Sequence, residues 1–292
     1  MKTRSEPEMF DLILSIARAD PRIRAVVLNG SRANQSAPRD CFQDYDIRLI
    51  VTDVQSFTTD PGWIDRFGER MILQTPEDWH SHPYDYQGHE PFFYLMQFMD
   101  GTRIDLSLSL LDRLEPDSEP SVALLDKDGI LPQFPAPTGD CYHVKPPSRR
   151  EFEDCCNEFW WMSTYVAKEL WRGGLPYAKA LLEENVRAEL MTMLDWFVGG
   201  QHDFQISTGK GSKDLRRYLS PEDWAAFEAT YPDLNDDRMW RALLAMGGLF
   251  RAKARLVASQ FGFEYPALDD ERVAAFLCHI RQLPGDATAI YS

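Results

Sequence analysis

Val26-Val-Leu-Asn-Gly-Ser-Arg32 runs through a polar connection into Asp44-Tyr-Asp-Ile-Arg-Leu-Ile-Val51. The first half is a short, β-branched apolar run, Ile23 to Leu28, that predicts a buried strand stopped by Asn29-Gly30. The second half predicts another strand, Ile47 to Thr52, opened by Asp-x-Asp. Strand side chains alternate between faces, so Asp44 and Asp46 share one face while Tyr45 and Ile47 take the other. Two carboxylates held side by side repel unless a cation sits between them. Oxygen-only donors at this spacing suit Mg²⁺, which binds through one or two carboxylates together with substrate phosphates. Gly30 lets a backbone approach a phosphate closely, and Ser31 adds a hydroxyl and an N–H donor.

A third carboxylate extends the pattern. Gly101-Thr-Arg-Ile-Asp-Leu-Ser-Leu108 predicts a strand with Ile104, Leu106 and Leu108 on one face and Arg103, Asp105 and Ser107 on the other. Three carboxylates on adjacent strands beside a Gly-Ser turn are what metal-assisted phosphoryl or nucleotidyl transfer requires. Asp105 is either a metal ligand, the general base for an attacking hydroxyl, or both; the plainer alternative is a hairpin carboxylate paired with Arg103. Arg32 either reaches a phosphate with its fork or pairs with Asp44 or another nearby acid.

Gly30-Ser31, Asp44-x-Asp46 and Asp105 together resemble the signature of the nucleotidyltransferase superfamily. Further blocks narrow the likeness: Glu8-Met-Phe-Asp-Leu-Ile-Leu, Asn29-Gly-Ser-Arg32, Phe42-Gln-Asp-Tyr-Asp-Ile47, Arg103-Ile-Asp-Leu106 and Phe159-Trp-Trp-Met-Ser-Thr-Tyr-Val-Ala-Lys168. Over nearly the whole chain the sequence resembles the streptomycin (aminoglycoside) 6-adenylyltransferases. The resemblance implies an α+β fold: a nucleotidyltransferase-type N-terminal domain with a mixed β-sheet, then an all-α helical bundle domain. It implies transfer of AMP from ATP, with Mg²⁺, to a hydroxyl of a cationic aminoglycoside, the 6-hydroxyl of streptomycin, with release of pyrophosphate and resistance to the antibiotic. It makes Asp44, Asp46 and Asp105 the catalytic and metal-binding residues. Two rivals stand beside it: a nucleotidyltransferase acting on another small molecule or a protein, and a non-catalytic nucleotide-binding regulator.

The composition agrees with a folded enzyme. The chain has 292 residues, 44% of them hydrophobic and 26% charged, enough for a sizeable core and near the globular average. The net charge of −15 disfavours nucleic acid as a partner, and either attracts a polycationic small molecule or serves solubility alone. The five cysteines are odd in number and form no C-x-x-C pair, which fits a reduced, cytoplasmic protein. No apolar run reaches the ~20 residues of a membrane span, and no secretory h-region follows the N-terminus. A monomer or weak homodimer is expected. Trp79-His-Ser-His82 is either a metal-binding pair or, without further soft ligands, a pair of loop histidines.

Apolar spacing predicts a helix over Glu8–Ala19, ended by Asp20-Pro21. Residues 33–41 and 75–91 are turn-rich, with a helical turn over Trp63–Phe67 and a strand over Met71–Leu73. Phe92–Met99 and Thr102–Leu110 form a hairpin about Asp100-Gly101, and a third strand for that hairpin follows at Ser121–Leu125. Prolines 132, 135, 137, 146 and 147 mark a boundary: a catalytic domain over 1–135, a linker over 136–147, and a substrate-binding domain over 148–292. Helical periodicity then covers Arg149–Trp171, Tyr177–Phe197, Pro221–Thr230, Asp236–Phe261 and Asp269–Gln282.

Within the helical domain Trp161, Tyr165, Lys168 and Arg172 share one face. This stripe suits the lining of a cleft between the domains, with Lys168 toward the triphosphate and Trp161 or Tyr165 against a ring; otherwise the aromatics are core and the cations solvated. Thr208-Gly-Lys-Gly-Ser-Lys213 lacks the P-loop spacing but carries Lys210 and Lys213, either phosphate contacts or a solvated loop. Glu189 and Asp195 flank an apolar set on the second helix, either toward a cationic substrate or on exposed helix surface.

Overall fold

The computed structural model describes residues 2–35, 37–78, 81, 84, 91–111, 120–134 and 139–291. Within it the chain divides into two compact units, Met1–Cys141 and Tyr142–Ser292, each with its own apolar core. Trp79, His80 and His82 of the histidine pair, and Pro135 and Pro137, lie outside the described residues.

The first unit opens with α1 (Glu6–Ala19), whose start is closed by a capping box in which the Ser5 N–H donates to Glu8 Oε2 at 2.6 Å. Its Met9, Ile13, Ile16 and Ala17 recur at helical spacing and are buried. Asp20-Pro21 ends the helix and β1 (Ile23–Asn29) follows. Then come the one-turn α2 (Gly30–Ala33), β2 (Tyr45–Val51), the short α3 (Gln55–Thr58), β3 (Arg70–Gln74), β4 (Phe92–Phe98), β5 (Arg103–Leu110) and β6 (Val122–Asp126). The strands make one sheet in the order β3-β4-β5-β2-β1-β6. Of the described pairings only β2–β5 is parallel.

That mixed sheet follows from alternation. Tyr45, Ile47 and Leu49, with Ile104, Leu106 and Leu108 and with Phe92, Tyr94 and Met96, are all buried in one cluster with Met9, Ile13 and Ile16 of α1. Each such side chain contributes about 1.5–3 kcal/mol by leaving water. The intervening residues of β2 and β5, Asp46 and Asp105 among them, are thereby turned to the opposite face. The β4–β5 hairpin forms about Asp100-Gly101 as expected. The next strand departs from expectation: β6 adds nothing to the hairpin but pairs antiparallel with β1 at the far edge. In the hairpin, β5 already has β2 on its other side and β4 has β3, so neither hairpin strand offers an open edge, and β6 takes the open edge of β1.

The second unit is helical: α4 (Arg149–Trp171), α5 (Leu175–Leu181), α6 (Arg187–Gln201), α7 (Pro221–Glu228), α8 (Asp236–Phe261) and α9 (Ala267–Gln282). Ser148 and Glu151 form a capping box at the start of α4, and Gly262, at φ +66°, closes α8 in the left-handed region. The stretch expected as one helix over Tyr177–Phe197 is α5 and α6 joined by a π-helical turn, Leu182–Val186. This wide turn coincides with an ion pair between Glu183 and Arg187, whose buried guanidinium also donates to Thr230 Oγ1 at 2.8 Å and Thr230 O at 2.7 Å. Phe159 of α4 stacks on Phe250 of α8 with ring centroids 3.8 Å apart at the centre of the core. No helix among the described residues is long and apolar enough to cross a membrane.

Candidate active site

Parallel pairing of β2 with β5 sets Asp46 level with Asp105, and Asp44 precedes β2 by one residue. Oxygens of the three carboxylates come within 4.8 Å of one another, each side chain part-buried. Carboxylates this close are mutually repulsive without a cation. One cation is already present: Arg103 Nε and Nη2 donate to Asp105 Oδ1 and Oδ2 at 2.7 and 2.6 Å, and its Nε lies 4.0 Å from Asp44 Oδ2. The hydrogen bonds to Asp105 hold the Arg103 guanidinium above its ordinary pKa, with the charges of Asp44 and Asp46 adding to the effect. Asp105 is therefore both a member of the acidic cluster and the partner of Arg103.

Glycine is required beside this cluster. Gly30 has φ +70°, and a Cβ there would lie 2.2 Å from Asp46 Oδ2. The turn after β1 thus closes against the carboxylates from one side. An oxygen-only donor set with a bare backbone against it fits Mg²⁺: the ion takes carboxylate oxygens readily and keeps the remainder of its shell for water and phosphate. Asp44, Asp46 and Asp105 would hold it. The neighbouring Ser31 receives hydrogen bonds from Gln43 Nε2, at 3.3 Å on its hydroxyl and 3.4 Å on its carbonyl.

The Arg32 guanidinium is engaged within the protein. All three of its guanidinium nitrogens donate within the protein: Nε to Asp44 O at 2.9 Å, Nη2 to Gln43 O at 2.7 Å, and Nη1 to Glu6 Oε2 at 2.5 Å. The acid it pairs with is Glu6, a residue with no motif to mark it in the sequence. Arg103, weighed in the sequence only as a partner for Asp105, turns out to face Asp44 as well.

The candidates of the second unit fall in three places. Trp161, Tyr165 and Lys168 do share a face of α4: the two rings are 6.0 Å apart and Lys168 Nζ lies 4.2 Å from the Tyr165 centroid. They line a cavity of about 460 Å³ with Phe276 and Ile280 of α9. Trp161 also borders a second cavity of about 720 Å³, beside Trp160, Glu153, Glu264 and Asp269. Those carboxylates, spread over α4, the approach to α9 and the first turn of α9, have no shared spacing that would reveal them in sequence. Lys210 and Lys213 are exposed on their loop. That loop is tied to α6 through Ser212 Oγ, which donates to Asp195 Oδ2 at 2.8 Å.

Asp195 is therefore part-buried and does not lie on exposed helix surface. Burial raises its pKa, against the hydrogen bonds from Ser212 and Thr208. Glu189 is also half-buried: burial raises its pKa, opposed by a hydrogen bond from Cys155, while the nearby Glu158 adds to the rise. The buried Cys156 thiol beside it is pushed up to about 12 by burial.

The profile of the streptomycin adenylyltransferase family matches residues 3–280. An aminoglycoside 6-adenylyltransferase of Campylobacter jejuni is 42% identical over 96% of this chain and 96% of its own length. The enzyme of the same name from Bacillus subtilis (strain 168) is 40% identical, over 91% of this chain and 95% of its own. A crystal structure of an aminoglycoside 6-adenyltransferase from Bacillus subtilis aligns at 35% identity and a TM-score of 0.47, covering 96% of this chain and 100% of that one.

Proposed function

The chain belongs to the streptomycin adenylyltransferase family and is an enzyme that adenylylates an aminoglycoside; on that premise we propose streptomycin as the acceptor, its 6-hydroxyl as the position modified, and pyrophosphate as the second product. The observation that carries the chemistry is the register of β2 with β5, which sets Asp46 beside Asp105 with Asp44 adjacent. Residues 1–135 form the catalytic domain, 148–292 the substrate-binding domain, and 136–147 their linker.

Mg²⁺, when bound, supplies positive charge to the ATP phosphates and to the charge that develops as the α-phosphorus is attacked. Asp44, Asp46 and Asp105 would hold it by their carboxylate oxygens. Gly30 and Ser31 form the wall nearest the phosphates, Gly30 by having no side chain and Ser31 by its hydroxyl. Asp105 takes the proton of the acceptor hydroxyl. The acceptor oxygen then forms a bond to the α-phosphorus, the bond to the bridging oxygen breaks, and pyrophosphate departs with that electron pair. Arg103, already on Asp105, steadies the carboxylate and balances its charge before the proton moves.

In the second unit, Lys168, Lys210 and Lys213 are the cations we assign to the triphosphate. Trp161 and Tyr165 offer aromatic faces to the acceptor, and Glu153, Glu264 and Asp269 near Trp161 match its guanidinium and amino groups. No nucleic acid is needed, and the enzyme works as a monomer or weak homodimer in the cytoplasm, where ATP is available. Adenylylation adds bulk and negative charge to the antibiotic, which then no longer fits its target.

The test is pyrophosphate release from ATP and Mg²⁺, with streptomycin and with a panel of other aminoglycosides, followed by NMR assignment of the modified hydroxyl. Streptomycin-dependent release with the adenylyl group on O-6 is the expected result. Release with another aminoglycoside alone would replace the acceptor and keep the chemistry.

A further inference from the structure

We infer that Arg32, clamped by Glu6, is a positioning residue that sets the carboxylate of Asp44 for metal binding, and that it makes no phosphate contact; this rests on the metal role proposed above for the acidic cluster. The need for such a device comes from where Asp44 sits. Asp46 and Asp105 lie inside paired strands, so the sheet holds their backbones. Asp44 lies one residue before β2, outside the ladder, at the end of a turn-rich connection. A ligand on an unpaired backbone is only as well placed as whatever holds that backbone.

Arg32 supplies the hold. Its Nε and Nη2 grip the consecutive main-chain carbonyls of Asp44 and Gln43, at 2.9 and 2.7 Å, in the two-pronged manner a planar fork allows and a single ammonium does not. Glu6, from the first turn of α1, takes Nη1 at 2.5 Å and so fixes the guanidinium from behind. Below it, the guanidinium carbon is 3.9 Å from the centroid of the Tyr45 ring, which in turn meets Phe10 of α1 edge-on at 5.6 Å. The Arg32 side chain is only 10% exposed. Gln43 closes the arrangement by donating from its own side chain to Ser31, the residue before Arg32. To reach a phosphate, Arg32 would have to break three hydrogen bonds and leave an aromatic face, which would also release Asp44. The arrangement therefore couples α1, the Gly-Ser turn and the first carboxylate into one unit.

The experiment compares Arg32→Lys and Glu6→Gln with the wild type by Mn²⁺ titration, followed by electron paramagnetic resonance in the presence of a non-hydrolysable ATP analogue. Binding of the analogue without metal and the thermal midpoint are measured alongside. Both variants should weaken Mn²⁺ by about tenfold, leave metal-free analogue binding within twofold of wild type, and regain most of kcat at high Mg²⁺. A purely structural role would move the thermal midpoint and the active fraction without moving the metal constant. Weakened metal-free analogue binding with Mn²⁺ affinity unchanged would return Arg32 to the phosphates and overturn the inference. Unchanged Mn²⁺ affinity in both variants would overturn it too. Glu6, 45% exposed at its side chain, carries the test if Arg32→Lys does not fold. Asp46→Asn in the same titration separates the two levels: if it does not weaken Mn²⁺, the metal reading of the cluster itself has failed.

Discussion

In the first unit Asp105 lies level with Asp46 on a neighbouring strand and is paired with Arg103 at 2.6 Å; in the second, Asp195 lies on α6 and accepts a hydrogen bond from Ser212 at 2.8 Å. Both are part-buried carboxylates that local sequence marks as interesting. They differ in what brings their neighbours. Strand pairing carries residues far apart in the chain to adjacent rows about 4.8 Å apart, so the acids converge on one another. A helix only assigns a residue to a face. What meets that face is decided by packing, and at Asp195 packing brings the 208–213 loop. The first arrangement is suited to holding a cation, the second to holding a loop.

The sharpest attack on this contrast is Asp46→Asn. Turnover should fall by about 10³-fold or more, roughly 4 kcal/mol of transition-state stabilisation, with the thermal midpoint almost unmoved because a mutually repelling charge has been removed. Turnover within tenfold of wild type, measured by pyrophosphate release, would break the comparison.

Glycine offers the next test, because both units hold glycines at positive φ. Gly30→Ala places a Cβ against Asp46, whereas Gly211→Ala, at φ +63°, meets nothing within 4 Å. Both variants bear the ~1–2 kcal/mol strain of the left-handed region. Only Gly30→Ala should also lose about 10²-fold in kcat/KM by displacing the carboxylate. Equal losses of activity in the two would show that strain, and not the Asp46 contact, is what Gly30 avoids.

A smaller effect concerns what anchors α1, and with it Glu6. Arg4 donates to both oxygens of Asp100 in the β4–β5 turn and to Thr102 Oγ1 at 2.7 Å. Burial alone would raise the Asp100 pKa, but the hydrogen bonds from Arg4 and Thr102 hold it well below the ordinary carboxylate range. A depressed folded pKa gives stability that is full above the unfolded value of about 3.9 and is lost as pH falls toward the folded one. Arg4→Ala should therefore cost roughly 2 kcal/mol at pH 7, a difference that shrinks below pH 4. Urea unfolding at pH 7, 4 and 2.5 measures it.

The smallest expected effect has the opposite sign. Burial raises the Asp195 pKa, so the stability it contributes is present below about pH 3.9 and lost as pH rises through the folded value. Asp195→Asn keeps an acceptor for Ser212 and drops the buried charge. It should raise the thermal midpoint at pH 8 by on the order of 2 °C and give no gain at pH 4. A loss at pH 8 would show that the charge itself holds the loop.

Much of this was legible beforehand, for identifiable reasons. α4 and α8 have the bounds their sequences predict, because Ser148 with Glu151 and Gly262 are strong stop-and-start signals. The strands bearing Asp46 and Asp105 were readable from their alternation. β6 was readable as a strand but not as the partner of β1, since any open edge offers the same N–H and C=O groups. The clamp on Arg32 was invisible because two of its three acceptors are main-chain carbonyls, which every residue possesses.

By itself, then, the sequence singled out the residues to which the chemistry is assigned here as a proposal: the side chains of Asp44, Asp46 and Asp105, the bare backbone of Gly30, and the face of α4 that bears Trp161, Tyr165 and Lys168. These depend on residue type and on periods of two or of three to four residues, which are local properties. The tertiary structure alone decided that Asp105 stands beside Asp46 in a parallel pair, that the Arg32 guanidinium meets Glu6 and the carbonyls of Gln43 and Asp44, and that Asp195 meets the 208–213 loop. Each of these is a choice among chemically equivalent partners, and only the packing of distant segments makes that choice.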